Sequence, residues 1–317
     1  MAFGDIIGQE RALKIIQGML RRGRLPSALL FSGDDGIGKK LTAVNLAKTV
    51  NCAGQPDFDC CDTCPSCRKI NAETHPDVKV VLPEKDELRV DAIRAIEESL
   101  SFKSFEGGQK VVIMDDADFM NVYAANAFLK TLEEPPADSL IILVSSNPDG
   151  LPDTIRSRCT NIRFNPLPAE KCSNMLAGRI NPENEALVLS LAMGRPGPAL
   201  SRNFAGDRDW FMKLLHSMLR GETKETWADR TEMKAWLDMA DILLRDIAVF
   251  RITKRGSDLV LGEAGGSCGM EGNGPDPVLK SVMDAYEGLS GVKAFVDFNL
   301  NKSITWNYVS GIIRSIS

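Results

Sequence analysis

The chain has little surplus positive charge, few aromatics and no long apolar run. Its formal net charge is −5 over 317 residues, which argues against nonspecific clamping onto DNA, because that mode needs a surplus of Lys and Arg facing phosphates. A local basic face is left open. No apolar stretch nears the roughly 20 residues that cross a bilayer. The start, "MAFGDIIGQE", lacks the basic lead and apolar core of a secretory signal. A cytoplasmic protein with no membrane partner is expected, and there the eight cysteines are poor disulfide candidates. There is no internal repeat. What is present is ordinary for a globular chain: 44% apolar and 26% charged residues, enough for about two domains, or three if some are small.

The order of elements is informative. "SALLFSG" (Ser27 to Gly33) is a short apolar run ending in glycine, as a buried parallel strand does. From Lys39 to about Val50 the apolar residues Leu41, Val44 and Ala47 keep helical spacing. "VDAIRAIEESL" places Ile93, Ile96 and Leu100 on one helical face, "QKVVIMDDAD" reads as a second buried strand, and "AANAFLKTLEEPP" as a helix stopped by Pro135 and Pro136. "SLIILVSSN" is a third buried strand with polar residues at its end. This alternation predicts a doubly wound α/β domain, with ligands beyond the carboxyl ends of the strands. After "FNPLPAE" the pattern changes: two short helices over 170–202, closed by "GRPGPAL", then long helical patterns such as "WLDMADILLRDIAVFRI". The Gly-rich "GEAGGSCGMEGNGPDP" (262–277) interrupts them and reads as a mobile surface loop.

"GDDGIGKK" (33–40) has the spacing of a phosphate-binding loop, G-x-x-x-x-G-K-[ST], between a strand and a helix as that motif requires. Gly33, Gly36 and Gly38 would shape a cradle of backbone N–H groups, and Lys39 would reach the terminal phosphates. The next position should carry a hydroxyl for Mg²⁺, but it is Lys40, whose ammonium only donates. The acidic pair at the end of the second strand is Asp115-Asp116, so the second carboxylate, the would-be base, is one methylene shorter than Glu. Together these departures argue against independent hydrolysis. Three outcomes stay open: a working ATPase, a site that binds ATP or ADP without turnover, and a turn that binds nothing.

Five of the eight cysteines fall within 52–67. Cys52, Cys61, Cys64 and Cys67 read C-x8-C-x2-C-x2-C, a set suited to tetrahedral Zn²⁺ with no position left for substrate, hence a structural site. Cys60 in place of Cys61, an iron–sulfur cluster and incidental thiols stay open. Cys159, Cys172 and Cys268 are isolated and read as packing residues.

The strings "IIGQ" (Ile6 to Gln9), the phosphate loop, the four-cysteine insertion, "THPD" (Thr74 to Asp77), "NAFLKTLEEPP" and "SRC" (Ser157 to Cys159) occur in that order. The chain thereby resembles the bacterial DNA polymerase III clamp-loader AAA+ family, densely over residues 3–200 and only in architecture beyond. The resemblance implies a AAA+ P-loop α/β domain over 1–167 carrying the zinc module at about 52–67. It further implies a small helical lid over 168–205 and an all-α collar over 206–317. Within the family, motor subunits of the gamma/tau type keep Ser or Thr after the loop lysine, Asp-Glu on the second strand and a sensing Arg in the lid. Here those positions hold Lys40, Asp115-Asp116 and Gly197, with Arg195 off the spacing. These losses, with "THPD" and a length near 320 without a tau-like extension, point to the delta prime type; a gamma/tau-like subunit that hydrolyses ATP is the alternative.

By the same resemblance Arg158 is an arginine finger reaching the γ-phosphate bound by a neighbouring subunit, a contact worth ~10³ to 10⁵ in rate when supplied in trans. A salt bridge near a strand end is the plainer reading of it. Ser146 stands where active relatives sense phosphate, though a plain strand-end hydroxyl explains it equally. Glu133 and Glu134 are expected to close a helix and organise subunit contacts rather than to catalyse. The implied partners are gamma/tau and delta subunits in a hetero-pentameric ring and, through the complex, the sliding clamp and primer-template DNA. The chain has no recognisable polymerase site.

Overall fold

A computed structural model describes residues 2–54, 56–85, 87–221, 227–256, 259–261, 277–296 and 300–316. The Gly-rich segment, apart from its last residue, and Cys268 lie outside them. The described chain forms two compact units: Met1–Ala177 with Met193–Leu200, and Gly178–Ala192 with Ser201–Ser317.

The first unit is built on five parallel strands, β1 (Ala28–Ser32), β2 (Val78–Val81), β3 (Lys110–Met114), β4 (Ser139–Ser145) and β5 (Thr160–Arg163), in the order β2-β3-β4-β1-β5. β1, β3 and β4 are buried at every residue, which is why they read as unbroken apolar runs: helices cover both faces of a parallel sheet. Alternation along each strand assigns the faces. Leu29, Phe31, Ile113 and Ile142 pack with α1 (Glu10–Arg21) and α2 (Lys39–Val50). Leu30, Val112, Ile141 and Leu143 pack with α4 (Val90–Ser101) and α5 (Val122–Glu133). The expected stripe Ile93, Ile96 and Leu100 is the buried face of α4. Phe128 is fully buried in the same cluster, and Phe128→Ala would cost about 3–5 kcal/mol through lost burial and the cavity left behind.

Between α2 and β2 the cysteine segment leads into α3 (Pro65–Asn71). After β4 come α6 (Asp153–Arg156), β5 and α7 (Ala169–Leu176). β2 and β5, the two edge strands, are short and only half buried, so neither carries the apolar run that marks the inner strands. "GRPGPAL" does not merely close the preceding helix. Gly194 makes the turn at positive φ, and the prolines then start α9 (Pro196–Ser201), since proline's fixed φ suits the first helical turn.

The second unit is helical. α8 (Glu185–Ala192) packs on α10 (Phe204–Arg220), α10 also meets α13 (Lys302–Arg314), and α11 (Arg230–Thr253) packs along α12 (Pro277–Phe295). Its core holds Trp227, whose ring lies 5.8 Å from Trp236 and 5.0 Å from Trp306. Among the described residues no helix is long and apolar enough to cross a membrane.

Candidate functional site

The phosphate loop leaves the carboxyl end of β1, beside the ends of β4 and β3. Its backbone bends at three glycines with positive φ, Gly33, Gly36 and Gly38, a region that any L side chain adopts only with strain. Gly38 caps α2, so the helix N-terminus points at the loop. The shape of an anion cradle is therefore intact. Gln9 of "IIGQ" fastens it: the side-chain amide donates to the carbonyls of Ile37 (3.1 Å) and Asn165 (2.8 Å), and its oxygen accepts from Asn165 N–H (3.3 Å).

The contents of the cradle differ from its shape. Lys39 Nζ is turned back onto the carbonyl of Asp34 at 2.6 Å. Burial pushes the Lys39 pKa down, against the pull of Asp35, Asp115, Asp116 and Asp118. Lys40 Nζ lies 3.1 Å from Asp115 Oδ2, so an ammonium stands against the carboxylate that would face a metal ion's water shell. Asp116 is held at positive φ, and burial together with Asp115 and Asp118 pushes its carboxyl pKa up. Ser146 is half buried beyond β4. The neighbouring Ser145 Oγ is fully buried with no hydrogen-bond partner.

At the position that would carry a sensing arginine, Gly197 N–H donates to Gly36 O at 2.9 Å. A Cβ on Gly197 would meet Gly36 Cα at 2.7 Å, and one on Gly36 would meet Pro198 Cδ at 2.1 Å. Two glycines are needed because two backbones touch. Start-to-end spacing could not reveal this contact, for it joins residues 161 positions apart.

Arg158 follows α6. Its Nε donates to Glu133 Oε1 at 2.8 Å, its Nη2 donates to the same oxygen, and its Nη1 donates to the carbonyl of Thr154 at 2.8 Å. The arginine side chain is 32% exposed and that of Glu133 50%, so the head stays at the surface. Arg156, two residues earlier, is taken up by Asp149 and Asp153.

The sulfurs of Cys52, Cys61, Cys64 and Cys67 all lie within 4.8 Å of one another. Cys60 is buried beside them, but its sulfur is not in this group, an arrangement that favours Cys61. A chain of N–H donors runs through the set: Cys61 to Cys52 Sγ (3.3 Å), Cys64 to Cys61 Sγ (3.3 Å) and Cys67 to Cys64 Sγ (3.5 Å). Donors aimed at sulfur favour thiolates, and those from the backbone of Thr63 and Cys64 bring the Cys61 pKa down to about 6. A tetrahedron with metal–sulfur bonds of about 2.3 Å has sulfurs about 3.8 Å apart, and Cys52 and Cys64 are 4.0 Å apart. The cluster could hold a metal ion. Burial pushes the Cys159 thiol up to about 12 and the Cys172 thiol also up, as inert packing thiols require.

The module is anchored through residues of "THPD". His75 Nδ1 accepts from Asp77 N–H (3.1 Å), and its Nε2 meets Ser66 Oγ of α3 (3.0 Å) and Glu106 (3.3 Å). The fully buried Asp77 carboxylate accepts from Phe105 N–H and Glu106 N–H and sits 3.6 Å from Lys110 Nζ. On the other side, the buried Lys48 of α2 binds Asp62 at 2.7 Å.

A model of the family described as "DNA polymerase III, delta subunit" matches residues 8–168. The chain belongs to that family. It is 31% identical over 258 residues to the DNA polymerase III subunit delta' of Bacillus subtilis, across 77% of this chain and 78% of that protein. It is 37% identical over 189 residues to the Escherichia coli subunit delta', across 58% of this chain and 56% of the relative. The tau subunit of B. subtilis is 34% identical over 207 residues, across 65% of this chain and 36% of that protein. The expectation of a clamp-loader family member most like delta prime stands. The five-stranded parallel sheet with a helical second unit agrees with the expected α/β plus all-α fold class.

Proposed function

We propose that the chain is the delta prime-like subunit of a DNA polymerase III clamp loader. It joins gamma/tau and delta subunits in a cytoplasmic ring that uses ATP to place the sliding clamp on primed DNA. Its own nucleotide site is inert, and it serves the neighbouring motor through Arg158. The observation that carries this reading is the Lys40–Asp115 pair at 3.1 Å. An ammonium is a compact, strongly hydrated point charge, and on Asp115 it supplies the positive charge that Mg²⁺ brings in a working site. Lys39 is spent on the loop's own carbonyl, and the contact between Gly36 and Gly197 closes the loop from the α9 side. Gly33, Gly36, Gly38, Asp115, Asp116 and Ser146 then keep the shape of the site without its chemistry.

In this reading the four-cysteine cluster holds one structural Zn²⁺, residues 168–205 act as the lid and 206–317 as the collar that joins the ring. Equilibrium binding of labelled ATP to the isolated chain, with and without Mg²⁺, tests the central claim. No Mg²⁺-dependent binding and no turnover are expected. Tight Mg²⁺-dependent binding with hydrolysis would overturn it in favour of a gamma/tau-like motor.

A further inference from the structure

We propose that Glu133 is a positioning residue for Arg158, a role that rests on the finger reading given above. The carboxylate is placed by the backbone. Pro135 disfavours the helical region for the residue before it, Glu134 takes φ −125° and ψ 68°, and α5 therefore ends with Glu133 in its last turn. A carboxylate there faces the negative end of the helix dipole, so helix stability does not account for it. Its contact does: Oε1 accepts from both Nε and Nη2 of Arg158, while the Thr154 carbonyl accepts from Nη1.

A guanidinium has five N–H donors. Three are held by this chain from two different elements, α5 and α6, which fixes the plane of the group. One N–H remains on each terminal nitrogen, the number that a bidentate contact to a phosphate uses. Glu133 thus sets the aim of the arginine without exhausting it.

The test is made in the loader reconstituted from this chain with its own motor and clamp-opening subunits, with assembly checked by size-exclusion chromatography. Misplacing a reacting group by an ångström costs up to about 100-fold. Glu133→Ala is therefore expected to lower clamp- and DNA-stimulated kcat for ATP about 10- to 100-fold, with KM for ATP unchanged. Glu133→Gln, which keeps an acceptor oxygen, recovers most of that loss. In an Arg158→Ala background, Glu133→Ala adds nothing, because the two act as one unit. An unchanged kcat in Glu133→Ala alone, where Arg158→Ala alone does slow the loader, overturns the positioning role and leaves the finger reading standing. So does a Gln variant as slow as the Ala variant, or a further loss in the Arg158→Ala background. A full rate in Arg158→Ala overturns the finger reading itself.

Discussion

Lys40 and Arg158 both meet a carboxylate, and they end in opposite conditions. Lys40 meets Asp115, whose side chain is only 16% exposed at the end of β3. Arg158 meets Glu133, half exposed at the end of a helix. One ammonium against one carboxylate balances that pair's charge. A guanidinium gripped along one edge still offers donors elsewhere. In the proposed reading the same kind of pair silences one site and arms another, and the difference lies in the geometry of the cation.

The largest effect expected on the molecule itself comes from neither pair but from the four-cysteine cluster. Cys64→Ser is expected to lower metal content from about one Zn²⁺ per chain to none and to unfold residues 52–67, because metal binding and folding are one equilibrium there. Elemental analysis and proteolysis read both, and iron in place of zinc would refute the assignment. Next in size, Arg158→Ala should lower ATP hydrolysis at the adjacent motor site by at least ~10³, and with it the loader's stimulated ATPase, without preventing assembly. Unchanged ATPase would erase the contrast between the two cations.

Lys40→Thr sharpens the comparison from the other side. It removes the ammonium from Asp115 and restores a hydroxyl that can ligate a hard cation. Weak Mg²⁺-dependent ATP binding is expected to emerge in the isolated chain. If none does, the contact of Gly197 on Gly36 closes the site, not the lysine.

The smallest effect concerns Asp116. Its carboxyl pKa is raised above the ordinary 3.8 by burial and by Asp115 and Asp118. A raised folded-state value means that the native form holds its proton better than the unfolded form. The group is thus least unfavourable below pH 3.8 and costs stability as pH rises through its folded value. Asp116→Asn should raise Tm modestly at pH 7, and the gain should vanish in acid. Asn suits the positive φ at that position, so a gain that persisted at low pH would belong to the backbone and not to charge.

The sequence revealed most where chemistry is local. Inner strands, α2, α4, α5 and α11 are announced by apolar spacing, and the cysteine quartet by its short intervals. Edge strands β2 and β5 were missed because half-exposed strands carry no apolar run. Cys60 and Cys61 are adjacent, one residue apart in their spacing to the rest, and the direction of their side chains separates them. The clustering of the four cysteines and the loop were legible, whereas the contacts of Lys40, Gly36 and Arg158 were not: Asp115, Gly197 and Glu133 all lie 25 or more positions away from them in the chain. Gln9 was visible only as part of a string, and its hydrogen bonds explain why a glutamine stands there.

β2 has one further consequence. Among the described residues it ends the sheet, paired only with β3, and it begins directly after His75 and Asp77, which tie it to α3 and to the 105–106 backbone. An edge strand with a loosened lead-in offers its unpaired backbone groups to another copy. If the cluster holds the proposed Zn²⁺, chelating it should make the protein aggregate before its helical unit melts, and the cysteines would then guard solubility as much as shape.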